Sequence, residues 1–301
     1  MSLEGNKVAF IGAGNMAFAI ISGLVSQGLA KESIIVSNPG EANRKRVSDL
    51  GVPTTTDNLE AARDADIVVI AVKPAVTKKV CEEIRTAWGH RSSLPIIMSV
   101  AAGITLGSLK EWTKTEDGKT APTVRAMPNT PALVGEGAIG LFASDDVTDE
   151  QKKRLDTLLR SIAKAVEWVD KEELIDVVTG ISGKSLNKIT GPGRRLTVCF
   201  PGSGPAYFFA IVEHMVASAT ALGLPEDIAT RLATQTCAGA GKMLVDSSDP
   251  PSKLRTSVTS PNGTTHAALE TFKKHNLDQV IDAGVKASAA RGAELGETFA
   301  N

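Results

Sequence analysis

A chain of 301 residues, 42% hydrophobic and 22% charged, has the composition of a globular protein with core volume for one large or two medium domains, which excludes a fibrous or disordered chain. A formal net charge of −1 leaves no long-range field to recruit nucleic acid or an anionic membrane, and few aromatics are present for base stacking. Cys81, Cys199 and Cys237 are scattered and read as reduced thiols, while His90, His214, His266 and His275 lack ligand spacing, so no metal is expected.

The first residues, Met1 to Asn6, form no basic segment followed by an apolar one, and no apolar run reaches membrane length. The expectation is a cytoplasmic protein without a membrane segment. Residues 7–12 are a short apolar run, and residues 15–27 have helical periodicity. A second strand at 33–37 and a second helix at 41–50 follow, then a strand at 66–72, a helix at 75–88 and a strand at 95–100. Strands alternating with helices imply right-handed crossovers and a mostly parallel sheet. Runs at 123–127 and 138–143, a polar helix at 149–163 and a run at 165–169 complete one doubly wound Rossmann-type domain, residues 1–170.

Gly12, Ala13, Gly14, Asn15, Met16 and Ala17 stand directly after the first strand and open a helix. In that setting they are a dinucleotide fingerprint. The first glycine makes the turn, the second admits a pyrophosphate to the backbone, and Ala17 permits close helix–strand packing. The second strand ends in Ser37 and Asn38 with no carboxylate, and Arg44, Lys45 and Arg46 follow. Donors without a repelling carboxylate favour NADPH, with NADH as the alternative; the basic residues also read simply as a solvated helix face. Ala71, Val72, Lys73 and Pro74 end one strand, and Ala101, Ala102 and Gly103 end the next, at the edge where such sheets bind ligands.

From about Glu172 the pattern becomes helical, at 205–222, 225–245, 264–274 and 277–295. Small residues such as Thr236-Cys-Ala-Gly-Ala-Gly241 suggest tight helix packing, and so thin a bundle calls for a second copy to complete its core. Residues 171–301 are therefore expected to form an all-α dimerisation and substrate domain. Within it, Ser260-Pro-Asn-Gly-Thr-Thr265 is a tight turn running into a helix, whose free N–H groups and dipole suit a carboxylate, although an ordinary capped helix start has the same local look.

The stretch from Pro251 through Leu254, Val258, Ser260, Gly263, Thr265 and Leu269 to Phe272 closely resembles the signature of the pyrroline-5-carboxylate reductase family. Ala126-Met-Pro-Asn-Thr-Pro131 also matches that family. The resemblance implies NAD(P)H-dependent reduction of 1-pyrroline-5-carboxylate to L-proline. It implies a homo-oligomer, a dimer at least, with assembly into a decamer as in relatives. It carries substrate binding onto Ser260, Gly263, Thr264 and Thr265; the backbone N–H groups of Gly263, Thr264 and Thr265 would hold the carboxylate while the Thr265 hydroxyl meets the ring nitrogen as the catalytic group. Cofactor contacts carry onto Ser37, Asn38, Asn58, Ala71, Lys73, Pro74, Ala101 and Ala102, and onto Ser257, where the family's usual residue is Asn. Reduction of another cyclic imino acid or of a keto acid is the nearest alternative, and a non-catalytic NADP-binding scaffold the more distant one.

The family reads Thr-Gly-x-Ser-Gly-Ser-Gly-Pro-Ala-Tyr without a break. Here Thr179-Gly-Ile-Ser-Gly183 and Gly202-Ser-Gly-Pro-Ala-Tyr207 are separated by a segment with four basic residues and no acidic one. Gly-Lys-Ser, Leu-Thr and Phe-Pro-Gly within it can be encoded by splice-donor, branch-point and acceptor consensus sequences. Residues 184–202 are read as a retained in-frame intron, with a lineage-specific loop as the alternative.

Overall fold

The computed structural model describes residues 5–89, 91–182 and 203–300. The interruption at 184–202 lies outside the described residues. Two compact units are present: one runs to Gly204 and takes in the chain again from Ala287, and the other is Pro205–Lys286.

The first unit holds a sheet of eight strands. β1 (Val8–Ile11) and β4 (Ile67–Ile70) are unbroken apolar runs and buried throughout, as central parallel strands covered on both faces must be. With β2 (Ile34–Ser37), β3 (Thr54–Thr55), β5 (Ile96–Ser99), β6 (Thr123–Met127), β7 (Gly137–Ala143) and β8 (Ala163–Trp168), the order is β3-β2-β1-β4-β5-β6-β7-β8. The first six strands are parallel, β7 is antiparallel to β6, and β8 runs parallel to β7. Helices α1 (Asn15–Ser26), α2 (Glu41–Ser48), α3 (Asn58–Ala62), α4 (Pro74–Ile84), α5 (Leu106–Trp112), α6 (Asp149–Leu159) and α7 (Leu174–Ser182) supply the crossovers and cover. One apolar cluster joins Phe10, Ile20 and Val69 with Leu158, and a second joins Ile11, Val68 and Ile97 with Trp88.

Several elements differ from the expectation. β3 is a two-residue polar edge strand, and α3 and α5 are too short to show a period. α6 opens on a capping box between Thr148 and Gln151 but stops at Leu159. Ile162 O then accepts from Gly137 N at 3.0 Å, which draws the following residues into β8.

The second unit is helical: α8 (Gly204–Ala221), α9 (Glu226–Asp246), α10 (Pro251–Ser257), α11 (Thr264–Lys274) and the first part of α12 (Leu277–Ala300). Among its described residues, Ala229 and Ala233 are the buried hydrophobics, whereas Phe208, Phe209, Ile211, Leu232 and Val280 are exposed. An open groove of about 790 Å³ runs along α8 and α9, lined by Phe209, Val212, Val216 and Cys237. Among the described residues the expected close packing at Gly239 and Gly241 is not made, since a Cβ on either would meet nothing within 4 Å. No described helix is long and apolar enough to cross a membrane. The division at 170/171 marks where strand–helix alternation ends; α7 and the end of α12 nevertheless belong to the same compact unit as the sheet.

Candidate active site

Gly12 has φ +104°, and a Cβ there would come 2.7 Å from Ala71 O. Only glycine fits between β1 and the end of β4. Gly12 N donates to Ser37 O at 2.8 Å, and Ala13 N to Asn38 Oδ1 at 3.2 Å, which ties the loop to the end of β2. Gly14 is the N-cap of α1, and a Cβ on it would point into open space. No side chain caps α1 and no acidic residue stands in its first turn. Ala17 is fully buried beneath. This is an open, positively polarised cradle of backbone N–H groups, and it fits a dinucleotide pyrophosphate.

Beside it, Ser37 Oγ donates to Asn58 Oδ1 at 2.6 Å, and Asn58 Nδ2 donates to Glu83 Oε2 at 3.0 Å. Asn38 Nδ2 donates to Gly40 O at 3.1 Å. Arg44 Nη1 is committed to the carbonyls of Asn38 and Pro39, both at 2.7 Å, and so shapes this loop. Arg46 reaches Asn15 Oδ1 at 3.0 Å and lies over the Phe18 ring. Arg44 and Arg46 therefore do more than solvate α2, whereas Lys45 pairs with exposed Asp49 on that helix. Lys73 is the N-cap of α4 with Pro74 at its first position, a stiff helix entry next to Ala71 and Val72. Ala101 and Ala102 are buried at the end of β5, where Ala101 N donates to Ser99 Oγ at 3.2 Å. The Asn129 amide accepts from Ala138 N at 2.9 Å and pins the stiff loop after β6, whose following 3-10 turn (Thr130–Val134) contacts α1.

The remaining candidates form a second group, in the helical unit. Ser257 is the last residue of α10, and its hydroxyl donates to Leu254 O at 2.7 Å. Asn262 takes the positive φ, +59°, whereas Gly263 has φ −80°. A Cβ on Gly263 would crowd the Ser260 hydroxyl and lie 3.1 Å from Ser260 O, so the turn packs closely at this residue. Gly263 N already donates to Ser260 O at 3.1 Å, so it is spent on closing the turn. The N–H groups aimed outward are those that open α11, from Thr264 and Thr265, and no side chain caps that helix.

Sequence reasoning missed an ionic cluster behind the end of β5. Arg125 is buried on β6 and faces Glu172 and Asp176. Burial pushes the Asp176 carboxyl above its usual range, against the pull of Arg125. The available signal was an arginine inside the apolar run Thr-Val-Arg-Ala-Met. Glu83 carried no such signal, because only the fold brings it to Asn58. Among the described residues, no group of three or more His, Cys, Asp or Glu is placed to hold a metal.

The family described as pyrroline-5-carboxylate reductase dimerisation matches residues 195–295, and that described as NADP oxidoreductase, coenzyme F420-dependent, matches residues 7–103. The chain is 39% identical to the pyrroline-5-carboxylate reductase of Pseudomonas aeruginosa over 97% of each chain. It is 38% identical to that of Vibrio alginolyticus over 99% of this chain and 100% of the other. Among solved structures, the pyrroline-5-carboxylate reductase of Coxiella burnetii superposes with a TM-score of 0.83 at 35% identity, covering 96% of this chain and 98% of that one. The Plasmodium falciparum pyrroline carboxylate reductase, solved with NADP bound, gives 0.78 at 25% identity, covering 98% and 100%.

Proposed function

The chain belongs to the pyrroline-5-carboxylate reductase family, an NAD(P)H-dependent oxidoreductase family acting on a C=N bond, and on that premise we propose how its residues divide the work of forming L-proline. The observation that carries the reading is the uncapped N-terminus of α1, held by Gly12 and Ala13 against Ser37 and Asn38. Residues 1–170 bind the dinucleotide, and residues 171–301 bind the imino acid and the partner copy. Bound reduced nicotinamide supplies the hydride.

The protein's own contribution is orientation and charge. Gly12 through Ala17 cradle the pyrophosphate. Ser37, Asn38 and Asn58 read the adenosine end, where Arg46 and the lack of a carboxylate on β2 favour NADPH over NADH. Ala71, Val72, Lys73, Pro74, Ala101 and Ala102 border the rest of the cofactor, and Ser257 adds a contact from the helical part. The N–H groups of Thr264 and Thr265 hold the substrate carboxylate, with Ser260 and Gly263 setting the turn. The Thr265 hydroxyl meets the ring nitrogen, orients the protonated imine and relays its proton.

The protein assembles with copies of itself through the helical unit, whose family is a dimerisation family. We read the basic assembly as a dimer, with a decamer as the larger form, and the compartment as the cytoplasm. Residues 184–202 stand in this reading as a retained intron. The test of function is steady-state turnover of 1-pyrroline-5-carboxylate, other cyclic imines and keto acids with NADPH and NADH, with proline measured as product. Cofactor binding without turnover of any imine identifies a scaffold instead.

A further inference from the structure

Arg125 lies mid-strand on β6 between Val124 and Ala126 and is buried. A guanidinium there is costly unless close, directed partners offset its desolvation. Its Nη1 donates to Glu172 Oε1 at 2.6 Å, and its Nη2 lies 3.5 Å from Asp176 Oδ1. The same Glu172 oxygen accepts from Leu106 N at 2.7 Å. One oxygen thus joins the buried arginine to the first residue of α5, directly after the turn of residues 101–105.

The end of α12 closes on that turn from another side. Gly103 has φ +73°, and a Cβ there would come 2.9 Å from Leu295 Cβ; a Cβ on Gly296 would lie 3.3 Å from Gly103 O. Gly292 of the same helix faces Asp176, whose Oδ1 would be 3.3 Å from a Cβ at that position. The ionic cluster and α12 therefore grip one short stretch of backbone, and that stretch carries Ala101 and Ala102 at the carboxyl end of β5.

We propose that Arg125 is a positioning residue for hydride transfer, acting through Glu172 on the 101–105 turn that borders the nicotinamide half of the cofactor. The proposal rests on the cofactor reading above. Its reach is limited to that half, because the pyrophosphate cradle and the Ser37–Asn38–Asn58 group are held by other bonds.

The test uses the full chain and a probe lacking nicotinamide, 2′-phospho-ADP-ribose. Glu172→Ala removes the bridging oxygen, whereas Glu172→Gln keeps it, and in both variants Arg125 keeps Asp176 as a partner, with a thermal melt of each checking that it folds. Glu172→Ala should lower kcat roughly 10-fold or more, enlarge the isotope effect from 4-deuterated NADPH, and leave probe affinity within about 2-fold. Glu172→Gln should recover kcat to within about 3-fold of the parent, and Arg125→Lys, which loses the fork, should fall between the two. Equal turnover in Glu172→Ala and Glu172→Gln, or a probe affinity that falls in step with kcat, overturns the proposal. Failure of the parent chain to bind the probe removes the cofactor reading and the proposal together.

Discussion

At the scale of single residues, Thr265 and Asn38 carry the sharpest expectations. If Thr265 meets the substrate ring as proposed, Thr265→Ala should cost roughly 1–3 kcal/mol in transition-state binding, read as a fall in kcat/KM. The NADPH dissociation constant should not move, and an equal loss in both would take Thr265 out of the substrate site. Asn38→Asp keeps the acceptor for Ala13 N, loses the donor to Gly40 O, and sets a negative charge where the proposed reading puts the adenosine end. NADPH binding should weaken much more than NADH binding, and an unchanged ratio of the two affinities would misplace the 2′-phosphate. Cys81 gives a pH signature. Burial raises its thiol from 9.0 to about 12, with Glu82 adding to the effect. A raised pKa contributes stability that is complete below pH 9 and is lost as pH climbs toward 12, by about 1.4 kcal/mol per pH unit. The alkaline fall in stability should therefore be shallower in Cys81→Ala than in the parent, and parallel curves would contradict the assignment.

At the scale of elements, the interruption between Gly183 and Ser203 bears most on activity. In the family the two halves of the Thr-Gly-x-Ser-Gly-Ser-Gly-Pro-Ala-Tyr motif are continuous, and here residues 179–182 end α7 and residues 204–207 open α8. The segment between them has four basic residues and no acidic one, and unpaired charges are costly to bury. Deleting residues 184–202 should raise reductase turnover and sharpen thermal unfolding. A full-length chain as active and as stable as the deletion would establish a true loop, and the transcript across codons 179–207 gives an independent answer.

At the scale of the whole molecule, the second unit cannot be stable on the burial it achieves alone. Only Ala229 and Ala233 are buried hydrophobics among its described residues, while Phe208, Phe209 and Leu232 are more than half exposed. Covering one such side chain contributes about 1.5–3 kcal/mol, so assembly supplies the missing core. The unfolding midpoint should rise with protein concentration, by linkage of folding to association. Phe209→Asp should remove that dependence and leave a smaller species in sedimentation. A concentration-independent midpoint in the parent would place the core elsewhere.

Local pattern determined the parallel sheet, the Gly12–Ala17 loop and the family, because apolar runs, glycines before a helix and the motif from Pro251 to Phe272 are properties of adjacent residues. The same pattern could not reveal β3, α3 or α5, which are too short to display a period. Nor could it say which residue of the 260–265 turn takes the left-handed conformation, which the folded turn gives to Asn262. The partnerships Asn58–Glu83, Arg46–Asn15 and Arg125–Glu172–Leu106 join residues far apart in the chain. Only the tertiary structure decided those, since a buried charge or amide takes whichever partner the packing of separate elements brings within reach.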